Sequence, residues 1–174
     1  MTRAGGVLQF DLGKETHAGF ERTGSLYRPP TILLKAIALL EARHALRGSV
    51  DVPRYISETY QKLPRYKAKH PGPEQDRLFE ATYDHTPMQA PTCQHCDIAR
   101  LVDRDYRDDQ DPVIHYGLIG SSDQVIKNSR KRDLLGKQNI LCVEMEAAGL
   151  MNEFLCLVIR GICDYSDSHK NKSW

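Results

Sequence analysis

The feature that most constrains this chain is the alternation across residues 112–164. "PVIHYGLIGS" (112–121) is an apolar run ending in small residues, and "SDQVIKNSRKRDLLG" (122–136) opens with a Ser-Asp cap and closes on Gly136. "NILCV" then reads as a strand, "MEAAGLMNEF" as a helix and "LCLVIRGICD" as a strongly apolar strand. This β-α-β-α-β order argues an α/β fold, a sheet with helices on its faces, with ligands expected beyond the strand C-termini.

The first half reads differently. Val7–Phe10 is strand-like and bounded by glycines. Pro29-Pro30 suits a helix entry, apolar positions 33, 34, 37, 40 and 46 share a helical face, and Gly48 is a stop signal. Two further helices are expected, one from Pro53 to about Leu63 and one from Pro73 to about Tyr83. Residues 84–112 read as a loop insertion in a single domain spanning 1–174.

Bulk properties exclude several classes. With 24 basic and 23 acidic residues the formal charge is +1, so no global field favours nucleic acid or an anionic membrane. No stretch of about 18 apolar residues is present, and "MTRAGGVLQF" lacks the apolar core of a signal peptide. The expectation is a cytoplasmic protein whose five cysteines are reduced thiols.

Two acids stand where charge is expensive. "CVEMEAAG" (142–149) sets Glu144 and Glu146 around Met145, directly after an apolar strand. In an extended stretch residues i and i+2 face the same way, and paired carboxylates suit the hydroxyls of a sugar diol. The alternative is an acid in the first turn of a helix, complementing its dipole. Asp164 follows the apolar run of "LCLVIRGICD", and burial at such a strand tip raises a carboxyl pKa towards acid catalysis near neutral pH. A turn or capping role is the alternative there. Cys93-x-x-Cys96, with His85, His95 and His115 in sequence reach, is a weak zinc pattern, and a loop with free thiols is the default. "KNSRKR" (127–132) reads as a solvated helix face. "HAGFERTG" could be a binding loop, with no mechanism attached.

The segments "HYGLIGSSDQVIKNSRKRDLL", "ILCVEMEAAGLMN" and "CLVIRGICDYSDSHKN" resemble the C-terminal half of the nucleoside phosphorylase superfamily, in its purine and uridine phosphorylase and nucleosidase branch. The likeness is strongest to fungal phosphorylase-like domains fused to NACHT, ankyrin or TPR modules. The resemblance implies a three-layer α/β domain, a mixed sheet flanked by helices, that cleaves the N-glycosidic bond of a purine nucleoside by phosphate or water. Glu146 would bind the ribose hydroxyls, Met145 pack on the sugar, and Glu144 stand beside them. Asp164 would act as the catalytic acid at the purine N7, next to Cys163 where related nucleosidases carry Ser. Ser122, Val125 and Ile126 would frame the base. No cofactor and no metal are implied, phosphate is a co-substrate, and homo-oligomers are expected. The glycine-rich strand end, the phosphate ligands and the water-activating acid of the family would lie outside this chain, and a C-terminal helix would lie beyond Trp174. The other reading under the same resemblance is a non-catalytic nucleoside-sensing or interaction module, or an inactive fragment.

Overall fold

The computed structural model describes residues 6–48, 51–67, 72–85, 93–105 and 111–170. Three short strands, β1 (Gly6–Gln9), β4 (Leu118–Ser121) and β5 (Ile140–Glu144), form a parallel sheet in the order β1-β4-β5. A separate antiparallel pair, β2 (Gly13–Thr16) and β3 (Gly19–Arg22), follows β1. Among the described residues there are five α-helices: α1 (Thr31–Arg47), α2 (Asp51–Lys62), α3 (Pro64–Lys67), α4 (Ser129–Gly136) and α5 (Ala147–Glu153). The fold is α/β, as the alternating pattern requires.

Local sequence accounts for much of this. Pro30 precedes α1, and Gly48 closes it at φ 73°, where a side chain would be strained. The joining segment between β4 and β5 carries α4, as parallel neighbours demand. The register sets Gln9, Ser121 and Glu144 side by side, so the C-terminal ends of all three strands share one edge.

Phe10, Ile126, Leu135 and Ile140 form the buried core, with Leu8, Leu118 and Val143 packed against them. Gly120 lies between them: a Cβ there would sit 3.0 Å from Ile140 Cγ2 and 3.1 Å from the Phe10 ring. The middle of β4 is therefore closed to any side chain unless Phe10 or Ile140 moves. A second buried group is built from Phe79, Cys96 and His169. Phe79 is 1% exposed and bridges Leu101, and its ring stacks on His169 at 4.2 Å.

Three expectations are corrected. The helix expected over 73–83 is a single 3-10 turn at Pro73–Gln75, because Phe79 leaves the helical path to bridge Leu101. The helix after β4 begins at Ser129, not 122; Asn128 caps it by accepting from the Lys131 N–H at 3.0 Å. The apolar run at 155–163 forms no strand, and Leu155, Ile159 and Ile162 are exposed. An apolar run forms a sheet strand only where it finds an edge, and β5 pairs with β4 alone among the described residues. The hairpin of β2 and β3 occupies most of "HAGFERTG", with Gly19 at φ 113° at its turn. Within the 84–112 loop, 3-10 turns occur at Cys93–His95 and Ile98–Arg100, and residues 86–92 and 106–110 lie outside the described set. No helix among the described residues is long and apolar enough to cross a membrane.

Candidate functional site

Glu144 ends β5 and is 7% exposed. Its Oε2 accepts from the Glu146 N–H at 3.0 Å and the Ala147 N–H at 2.8 Å. Ser121, fully buried at the end of β4, accepts from the Ala148 N–H at 3.0 Å. Three donors at the start of α5 are thus met by two side chains from adjacent strand ends. Glu144 is the helix-capping acid. Glu146 occupies the cap position itself, makes no side-chain capping bond, and reaches Arg160 at 3.2 Å. The strand ends at Glu144, so the two carboxylates are not a parallel i, i+2 pair.

They do share a cleft. Glu144 and Glu146 line a shallow cavity of about 390 Å³ with α5 on one side, through Ala147 and Leu150, and residues 156–160 on the other. Glu144 Oε1 is buried and has no hydrogen-bond partner. The cleft therefore combines largely apolar walls with Glu144 and the Glu146–Arg160 ion pair.

The other residues named by the resemblance take different places. Met145 is half-exposed, and Val125 is exposed. Ile126 is a core residue. Ser122 closes a local turn, its Oγ donating to the Gln124 carbonyl at 3.0 Å. Cys163 is exposed, with its thiol 3.8 Å from Asp164. Asp164 accepts from the Ser166 N–H at 2.8 Å and forms an ion pair with Lys170 at 3.0 Å. None of these six lines the cleft that holds Glu144 and Glu146.

Beyond Asp164 the chain is anchored to the second buried group. The Asp167 carboxylate accepts from the His169 N–H at 2.9 Å and meets Arg132 at 3.5 Å. Arg132 also donates to the Tyr165 carbonyl, which joins "KNSRKR" to this turn; Arg130 in the same run meets Asp84 at 3.4 Å. Ser168 accepts from the His85 N–H at 2.8 Å, and the Tyr165 hydroxyl bonds Asp76. Burial, with that bond to Asp76, pushes the Tyr165 phenol up.

His85, Cys93 and Cys96 converge there, their ligand atoms all within 4.8 Å of one another. Burial, with hydrogen bonding and repulsion from Cys96, pushes the Cys93 thiol up to about 12. Burial holds His169 below the usual imidazole range, against the pull of Asp167. Of the histidines the sequence put in reach of Cys93 and Cys96, His85 joins the group, and His95 and His115 stay outside it. His169, 76 residues after Cys93, could not be linked to the loop by spacing.

The fold defines an α/β domain with a cleft at the sheet's C-terminal edge. Along 99% of its length the chain is 42% identical to a nucleotide-binding leucine-rich repeat (NLR)-like protein of Hyaloscypha variabilis. The chain spans 17% of the length of that relative. No protein-family model matches the chain, and no solved structure matches it. The relative corrects the expectation of a nucleoside-cleaving phosphorylase or nucleosidase: what matches this sequence nearly end to end is an NLR-like protein.

Proposed function

We propose that this chain is a recognition module of an NLR-like protein, one that holds a ribonucleoside-type ligand at the Glu144 cleft without cleaving it. The carrying observation is Glu144, whose Oε1 is buried without a partner, in the lining of a cleft that is largely apolar apart from the Glu146–Arg160 ion pair. A carboxylate oxygen accepts from sugar hydroxyls, and Leu150, Phe154, Leu157 and Val158 offer an apolar surface for a ring. The position, at the C-terminal edge of a parallel sheet, is where α/β folds present ligands.

Two further observations favour binding over turnover. Asp164, the acid the resemblance assigns to the leaving group, is engaged with Lys170 and the Ser166 N–H and does not line the cleft. The match to an NLR-like protein supports a sensing or interaction role within a larger chain. A phosphorylase-like ancestry of the fold is part of the same proposal and rests on the Glu144-Met145-Glu146 segment, with Asp164 engaged elsewhere.

Titration calorimetry with adenosine, run beside chromatographic assay of free adenine, tests this reading. Saturable heat with no adenine released supports it. Adenine release that Asp164→Asn abolishes, or no heat at millimolar ligand, refutes it.

A further inference from the structure

We infer that His85, Cys93, Cys96 and His169 form a zinc site that staples the 93–101 segment to the turn at 164–170. The ligand atoms of the first three lie within 4.8 Å of one another. A tetrahedral zinc, with bonds of about 2.0 to 2.3 Å, requires ligand separations of roughly 3.3 to 3.8 Å. Bringing these three ligand atoms to such separations takes movements of up to about 1 Å.

The second observation is independent of that spacing. The Nε2 atoms of His85 and His169 are both buried and have no hydrogen-bond partner. His169 is 5% exposed, so bulk solvent does not serve it. Buried polar atoms are normally paired, and two unpaired imidazole nitrogens beside two cysteines need a common explanation. The His169 ring meets the His85 ring edge-on at 5.5 Å, and the Cys93 thiol lies 3.6 Å from the His169 carbonyl. The His169 ring nitrogens lie outside the 4.8 Å group, and its edge-on approach to His85 makes it the candidate fourth ligand once its ring moves towards the two thiols.

Chemistry selects the metal. Two thiolates and two imidazoles are a borderline-soft set suited to zinc and unsuited to magnesium or calcium, which take oxygen ligands. Four protein ligands leave no open position, so the site is structural and not catalytic. The local fold is arranged to hold it. Cys93 and Cys96 flank one 3-10 turn, Ser168 fixes the His85 backbone, and Phe79 packs flat on His169. The bridge spans 76 residues between Cys93 and His169, so it ties the loop after α3 to the turn that follows the cleft wall.

The 174-residue chain, expressed with zinc in the medium and freed of loosely bound metal, should carry about one zinc per chain by elemental analysis. Cobalt exchanged into the unaltered chain should give thiolate-to-cobalt charge-transfer absorption in the near ultraviolet and the intense visible bands of a tetrahedral site. Cys93→Ser with Cys96→Ser should abolish both. His169→Gln should weaken zinc affinity at least about tenfold, as read by competition with a chromophoric chelator. Substoichiometric zinc together with a cobalt spectrum lacking the thiolate band would overturn the site, and because that test uses the unaltered chain it does not depend on a variant folding. Unchanged affinity in His169→Gln would overturn the fourth-ligand assignment.

Discussion

Glu144→Ala separates the two acids of the "CVEMEAAG" segment. The carboxylate receives two N–H groups at the start of α5, at 3.0 and 2.8 Å. Hydrogen bonds to a charged acceptor contribute roughly 1.5 to 3 kcal/mol each where no water replaces them. The α5 N-terminus lies at a cleft that water can reach, which brings the loss towards the roughly 0.5 to 2 kcal/mol of a helix cap. Removing the unpartnered Oε1 offsets a part. Burial of Ala147, Ala148 and Met151 acts the other way, because a seven-residue helix cannot hold itself without packing and its loosening exposes them. The net is a loss of about 2 kcal/mol, which for a chain of this size lowers the melting temperature by about 4 to 8 °C. Glu144→Gln keeps one acceptor oxygen and should lose about half as much. Glu146→Gln should change stability by less than about 0.5 kcal/mol, since its partner Arg160 is a surface contact. Thermal melts of the three variants under one buffer provide the assay. A Glu146 variant that melts well below the Glu144 variant would refute the assignment of the cap.

Other outcomes follow from the same contacts. Ser121→Ala should cost about 1 kcal/mol alone, and combined with Glu144→Ala the two should be non-additive, because both serve the start of α5; urea melts of the double-mutant cycle measure this. Phe79→Ala should cost about 3 to 5 kcal/mol, the value of a fully buried aromatic, and a loss below about 1 kcal/mol in chemical denaturation would show that the second buried group is not packed as described. Partial burial pushes the Asp11 carboxyl up, but its hydrogen bonds, led by that from the Asp123 N–H, outweigh it and hold the group below its usual range. Its contribution is therefore complete above the unfolded carboxylate value and is lost as pH falls through the lower folded one. The stability difference between the wild type and Asp11→Asn should be flat from neutral pH down to about 4 and shrink below that.

The legible parts of the fold are those that local signals specify. Pro29-Pro30 and Gly48 bracketed α1, and the apolar runs at 118–121 and 140–143 gave β4 and β5 with a helix between them. Failures occur where the outcome depends on a partner remote in sequence. Residues 155–163 carry the pattern of a buried strand, but a pattern names no edge to pair with. Phe79 left its helical register for Leu101, 22 residues away. At the site, the sequence marks Glu144 and Glu146 as functional acids or as a helix-start acid, and the division between them is not legible in it. It depends on where β5 stops and on Ser121 arriving beside Glu144 from another strand. Cys93-x-x-Cys96 is a weak zinc pattern for want of a second cysteine pair, and its spacing cannot show that His85 joins the two thiols or that His169 packs beside His85, which only the folded chain brings about.

Binding without turnover is the central claim, and a thermal melt of the unaltered chain with and without adenosine tests it most directly. Ligand that binds only the folded state raises the transition, by the equivalent of about 2.7 kcal/mol at a hundredfold excess over the dissociation constant. The account predicts a cooperative transition that adenosine raises, with adenosine recovered intact afterwards. A transition indifferent to millimolar adenosine, or one raised only as adenosine is converted to adenine, would contradict it.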